Sequence, residues 1–300
     1  MKTTIRNVSV LLVVFLLAAT LFAAGQQEAS SGAPAADAES ELPEVTWKLS
    51  HTTDPDGTYH KAALAFKEYV ESATDGKFTI DIHHSGVLGW EREVLEAMQI
   101  GTIEATIPSL GPFATFVPAY DVFNLPFTFQ GADHMLRSFE SPAMAPLVES
   151  AEENGFIVGK HFLPTFRYPL YGGEPIESVE DFQGHTFRTM GVPPHIDAYK
   201  ALGANVSTMA FAEVYSALQM GTVDGAENFY ANLYTMNFHE QTQYISNLPI
   251  LNNAAAFVFS KVAWDKLPTE YQEVLMEAAD AGGNHGNEIA IEEEESALQA

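Results

Sequence analysis

Positive charge is the scarce chemical resource of this chain. Against 40 Asp and Glu stand 14 Lys and Arg, a net charge of −26 over 300 residues. Arginine is scarcer still: beyond the first 25 residues it occurs only at Arg92, Arg137, Arg167 and Arg188. Arg167 and Arg188 both lie in apolar, strand-like runs, Thr165-Phe166-Arg167-Tyr168 and His185-Thr186-Phe187-Arg188-Thr189-Met190. An arginine there must face solvent, pair with an internal carboxylate, or offer its planar fork to an anionic ligand. In so acidic a chain the internal salt bridge and the bound anion stand as equal alternatives on the residues alone.

Other chemistry finds little support in the spacing. The absence of cysteine removes disulfides, zinc–thiolate sites, iron–sulfur clusters and thiol nucleophiles. No phosphate-cradling glycine loop, nucleophile elbow or H-E-x-x-H zinc helix is present. His83 and His84 are adjacent on an expected strand, where neighbours point to opposite faces and chelate poorly. Asp54-Pro55-Asp56-Gly57 lacks the later ligands of a calcium loop and reads as a turn into a helix. We therefore expect no metal, no cofactor and no enzyme activity. The negative charge excludes a general binder of nucleic acid or anionic membrane.

The elements that would position the arginines follow from periodicity. Lys2 and Arg6 precede a near-continuous apolar run, Val8 to Ala24, ending in small residues. This reads as a secretory signal peptide over 1–25, cleaved after Gly25, with a retained membrane anchor as the alternative, and makes the protein periplasmic. Loss of Lys2 and Arg6 with it would take the charge to −28. Residues 26–43 are rich in Ala, Ser, Glu and Pro, with Leu42 the one large apolar side chain, and read as a flexible linker. Val45–Ser50 alternates as a strand, Thr58–Ala73 has helical spacing, Phe78–Ile82 is a second strand and Glu91–Ile100 a second helix. Such alternation argues α/β layers with a largely parallel sheet.

An internal repeat carries the organisation further. Residues 93–104 read EVLEAMQIGTIE and residues 213–224 read EVYSALQMGTVD, six identities at an offset of 120. Each copy is an amphipathic helix, a glycine able to end it left-handed, and a short strand. Two similar α/β domains are expected, joined by a hinge with a ligand cleft between them: 44–164 plus 254–293, and 165–253. Gly155–Phe166 and Pro249–Ser260 would be the two crossings. Gly282, Gly283 and Gly286 should break or bend the long C-terminal helix, and 294–300 read as the start of a helical segment cut short.

Several segments together resemble the extracytoplasmic substrate-binding proteins of tripartite ATP-independent periplasmic (TRAP) transporters, of the DctP type. They are Ser85-Gly86-Val87-Leu88-Gly89 with Glu91-Arg92-Glu93, Phe123-Asn124-Leu125-Pro126-Phe127, GHTFRTM (184–190), MAFAEVYSALQMGTVDGAEN (209–228) and Trp264-Asp265-Lys266-Leu267. The resemblance spans about Trp47 to Glu277. It implies a periplasmic-binding-protein fold and no chemistry on the ligand. Arg188 would take the main salt bridge to a ligand carboxylate, Arg167 would assist, Phe211 would pack on the ligand and Asn228 would hydrogen-bond it. His51, Trp90, Arg92 and Ser109 match positions facing the cleft. Expected partners are a small organic acid, with a sugar acid favoured over a C4-dicarboxylate, and the TRAP membrane permease, the protein itself being a monomer. A ligand-presenting sensory protein and a secreted enzyme are the alternatives.

Overall fold

The computed structural model describes residues 42–299; the expected signal peptide and nearly all of the expected linker lie outside them. The chain opens with strand β1 (Val45–Ser50), helix α1 (Thr58–Ala73), β2 (Phe78–His83), α2 (Glu91–Gln99) and β3 (Ala105–Thr106). The helices α3 (Leu110–Ala114), α4 (Ala132–Phe139) and α5 (Ala145–Glu153) lead into the long strand β4 (Phe156–Tyr171). Next come β5 (Thr186–Thr189), α6 (Pro193–Ala201), β6 (Asn205–Thr208), α7 (Val214–Gln219), β7 (Gly225–Asn228), α8 (Tyr230–Thr235) and β8 (Tyr244–Ile245). The strand β9 (Leu251–Ser260), a short α9 (Lys261–Trp264) and the 29-residue α10 (Thr269–Ala297) complete the described chain.

The nine strands form one sheet in the order β2-β1-β3-β9-β4-β7-β5-β6, with β8 beside β4. The expectation of a largely parallel sheet holds at the two ends only. β1 is parallel to β2 and β3, and β5 is parallel to β6 and β7. At the centre β4 and β9 run antiparallel to each other along most of their length, because one leaves the first half of the sheet and the other returns to it. Two register shifts interrupt this ribbon, and Leu163 at the second has φ +62. Its displaced N–H is satisfied by Asn287 Oδ1 of α10 at 2.9 Å, so the irregularity is tied to the C-terminal helix.

Both copies of the repeat occupy the same station, as helix, left-handed glycine and strand. Gly101 (φ +75) follows α2 and Gly221 (φ +65) follows α7. The backbone N–H of Thr102 and of Thr222 each closes the turn on the alanine carbonyl five residues earlier, Ala97 and Ala217. The strands that follow, β3 and β7, both pair in the sheet.

Helix α1 buries Tyr59, Ala62, Ala63, Phe66 and Val70, spaced along one face. Phe66 stacks on Phe257 of β9 at 5.0 Å between ring centroids. Full burial of such a ring stabilises by about 1.5–3 kcal/mol. Here the expectation about the glycines fails. Helix α10 is continuous from Thr269 to Ala297, and Gly282, Gly283 and Gly286 are buried within it. A β-carbon on Gly282 would lie 2.8 Å from the Ala62 carbonyl and 2.8 Å from Phe257. One on Gly286 would lie 2.7 Å from Phe162. These glycines let the helix lie directly on α1 and the central ribbon; helix propensity is sacrificed for approach.

Near the end of α10, consecutive carboxylates reach different elements. Glu293 pairs with Lys61 and accepts from Thr58 Oγ1 (2.6 Å) at the start of α1. Glu294 accepts from the Ala231 backbone N–H (2.8 Å) at the start of α8.

Candidate functional site

A cavity of about 310 Å³ opens between the two halves of the sheet. The parallel strands on both sides point their carboxyl ends at it. Thr52 and Thr53 follow β1, Ser109 follows β3, Arg188 lies next to last on β5, Thr208 ends β6 and Asn228 ends β7; all line the cavity. This is where the crevices of α/β sheets commonly take ligands. Helix starts add Trp90 and Glu91 from α2 and Phe211 from the turn before α7. The Trp90 and Phe211 rings approach to 6.5 Å. Trp90 lies over Gly86, whose φ is +68; a β-carbon there would meet the indole at 3.1 Å.

The two strand arginines, alike in their local sequence, have opposite circumstances. Arg167 is 3% exposed and fully engaged: its Nε donates to Glu227 Oε2, its Nη2 to the Glu227 carbonyl (3.1 Å) and its Nη1 to Asn253 Oδ1 (2.7 Å). Glu227 lies two register positions along the neighbouring strand from the residue opposite Arg167, and its carboxylate is wholly buried. Arg188 is also 3% exposed, yet among the described residues it makes no ion pair. Its Nε and Nη2 both donate to the single carbonyl of Met209, at 3.2 and 2.8 Å. Burial pushes its pKa down to about 10, Glu227 opposing this and Arg167 adding to it. Arg188 therefore remains charged at neutral pH, with a carbonyl where a buried guanidinium ordinarily finds a carboxylate.

Asn228 is buried and lines the cavity, and its Oδ1 accepts from the N–H of the next residue, Phe229 (3.0 Å), just before α8. Phe211 is half-buried against Phe238 with its ring at the cavity. Ser109 shares a hydrogen bond with the Tyr59 hydroxyl (3.1 Å). Arg92 touches the rim, but its side chain is 74% exposed and its Nε donates to Glu96 at 3.0 Å, one helical turn away. His51 does not line the cavity. It is buried behind Thr52 and Thr53, with Nε2 3.0 Å from His60 Nδ1 and Nδ1 3.3 Å from Thr53 Oγ1. Burial and the nearby His60 and His84 push its pKa down to about 3. Asp54 accepts in the turn that starts α1, its carbonyl from Gly57 N–H and its Oδ1 from Ser85. Among the described residues no group of His, Asp or Glu is placed to hold a metal ion.

Sequence reasoning passed over Glu91, the first residue of α2. Its Oε1 accepts from the Ser109 N–H at 2.7 Å and its side chain lines the cavity. Burial raises its pKa, while Ser109, Arg167 and Arg188 act against the rise. Tyr59, Asn253 and Glu227 were also passed over. Glu91 and Glu227 carried no distinguishing signal among 40 acids, although each adjoins a quoted motif residue, Arg92 and Asn228.

A crevice at the carboxyl ends of parallel strands, shared by two related halves and holding a buried guanidinium without a carboxylate, is the site of an α/β solute-binding protein. The chain belongs to the DctP family, the bacterial extracellular solute-binding proteins of family 7, whose model matches residues 49–300. The C4-dicarboxylate-binding periplasmic protein DctP of Rhodobacter capsulatus is 33% identical over 259 residues, 85% of this chain and 77% of that one. Among solved structures, a TRAP periplasmic solute-binding protein of Sulfitobacter sp. NAS-14.1 with bound β-D-galacturonate superposes with a TM-score of 0.83 at 28% identity, covering 85% of each chain. One from Sulfurospirillum deleyianum with bound succinate gives 0.82 at 28%, covering 86% of this chain and 83% of that one. Among the described residues no helix is long and apolar enough to cross a membrane.

Proposed function

We propose that this protein captures a small organic acid outside the cytoplasmic membrane and delivers it to a TRAP permease. The observation that carries this reading is Arg188, a buried charge held by one carbonyl and lining the cavity. A ligand carboxylate would supply the missing anion through charge-assisted bonds. Arg167, neutralised by Glu227, steadies the site and contributes polarity more than net charge. Asn228 hydrogen-bonds the ligand and Phe211 packs on it. Trp90 and Ser109 complete the wall, and Arg92 lies at the mouth.

The acid is a sugar acid in preference to a C4-dicarboxylate, in keeping with the hydroxyl and amide groups of Thr52, Thr53, Ser109, Thr208, Asn228 and Asn232 around the cavity. Relatives with galacturonate and with succinate bound bracket the choice. Residues 44–164 with 254–293 form one domain and 165–253 the other; β4 and β9 are the hinge, and ligand selects the closed arrangement. The leader is cleaved, and the mature protein is a periplasmic monomer.

A thermal-shift screen of the purified protein against organic acids, sugar acids and neutral sugars tests this. Acids are expected to raise the melting temperature, and Arg188→Ala to abolish the effect. Stabilisation by neutral sugars alone, or an Arg188→Ala protein that binds acid as tightly as wild type by calorimetry, would overturn it.

A further inference from the structure

The organic-acid reading leaves open what the far end of the ligand must be, and the charges lining the cavity bear on that end. Arg167 is cancelled by Glu227, and Arg92 by Glu96 at the rim. Among the described residues no lysine lines the cavity. What remains among the described residues is Arg188 as a buried cation without an ion pair, with Glu91 in the wall and the exposed Glu93 at the rim as acids without one. One Glu91 oxygen is committed to the Ser109 N–H at 2.7 Å; Arg167 and Arg188 act on the carboxylate through space, but among the described residues neither is ion-paired with it.

We infer that Glu91 reads the ligand's far end, accepting hydrogen bonds from its hydroxyl groups and turning away a second carboxylate, so that the site takes hydroxylated monocarboxylates. This rests on the organic-acid reading and sharpens it. An ionised carboxylate only accepts, so the group facing it must donate. A hydroxyl satisfies it at no charge cost. A second ligand carboxylate placed at Glu91 would meet a like charge at short range and, among the described residues, no second cation free of an ion pair. Burial works against the ionised form of Glu91, while its place at the first residue of the nine-residue α2, the Ser109 N–H and the two arginines work for it. An ammonium would complement Glu91 as well, making amino-acid zwitterions the competing ligand class. The neutral hydroxyls of Ser109, Tyr59, Thr52 and Thr53 beside it favour the polyhydroxyl ligand instead.

The test is isothermal calorimetry on the intact protein at neutral pH with D-glucuronate, D-galactonate, succinate and L-serine. Wild type is expected to bind at least one of the two sugar acids about tenfold or more tighter than succinate or L-serine. Glu91→Gln keeps the shape and removes the charge; it should shrink the sugar-acid-to-succinate ratio about tenfold or more, partly by strengthening succinate. Glu91→Asp, which restores the charge, should recover part of the preference. A wild type that prefers succinate or L-serine, or a Glu91→Gln protein with an unchanged ratio, overturns the role given to Glu91 while leaving organic-acid or zwitterion capture by Arg188 intact. A wild type that binds none of the acids, or an Arg188→Ala protein undiminished for all of them, overturns the organic-acid reading itself. Circular dichroism melts of each variant separate misfolding from lost selectivity.

Discussion

Replacing each of the two strand arginines with methionine should move stability in opposite directions. Arg188 keeps its charge in a dry setting without a carboxylate, and burial holds its pKa down to about 10. That depression corresponds to about 3 kcal/mol of unfavourable charging. Arg188→Met removes this cost and fills the same space with apolar atoms. It also strips the Met209 carbonyl of both its guanidinium donors, which gives back about 1 kcal/mol. The net gain is about 1–2 kcal/mol in the ligand-free protein, or roughly 2–8 °C in Tm for a domain of this size. Arg167→Met leaves the wholly buried Glu227 carboxylate without its cation and costs about 3–5 kcal/mol. Differential scanning calorimetry of the three proteins without ligand reads both shifts. The same Arg188→Met protein should lose roughly two to four decades of acid affinity. If it melts lower than wild type by as much as Arg167→Met does, Arg188 is not an uncompensated charge, and the reasoning that makes it the ligand's partner fails.

Three further outcomes follow from the structure. Gly282→Ala should destabilise by about 2 kcal/mol in urea unfolding: the helix gains about 1 kcal/mol of propensity, but the added carbon sits 2.8 Å from the Ala62 carbonyl and from Phe257. Glu294, pushed up to about 7 mainly by burial, holds its proton more tightly folded than unfolded; its contribution is full below about 4.5 and is lost as pH rises through 7. Glu294→Gln, which keeps an acceptor for the Ala231 N–H, should flatten that loss, by about 3 kcal/mol at most, in melts recorded from pH 5 to pH 8. His161, buried against the Tyr120 hydroxyl at 3.0 Å and pushed down to about 4 by burial and Lys160, has the opposite sign. The unfolded chain protonates it first, so stability falls from about pH 6.5 toward 4, on the order of 3 kcal/mol, and His161→Gln should remove part of that slope in urea midpoints.

Local periodicity made β1 and α1 legible to the residue, and the repeat disclosed two matching stations because their helix, glycine and strand obey local rules. What escaped depended on partners remote in sequence. Nothing near Arg167 announces Glu227, 60 residues on, so local sequence alone does not separate the engaged arginine from the unengaged one, and only the family resemblance ranks them. Glu91 was hidden for the same reason, being one acid among many until Ser109 and the arginines were brought around it. The glycines of α10 were misread because a glycine's freedom is visible in sequence, whereas the surface it must approach is not. His51 sits at the end of β1 as expected, but its ring turns inward to His60.

The 120-residue offset of the repeat also holds at the cavity wall: Glu91 corresponds to Phe211 and Ser109 to Phe229, and all four line it. The duplicated stations have diverged, so that one presents a carboxylate and a hydroxyl while its counterpart presents two aromatic rings. With Arg188 as a third point, the site has chirality of its own. A molecule pinned by its carboxylate can turn its polar edge toward one half and its C–H face toward the other in only one sense. On the proposed binding mode, mirror-image hydroxy acids of identical charge, size and solubility should therefore bind with different affinities, although no single contact in the cavity could tell them apart.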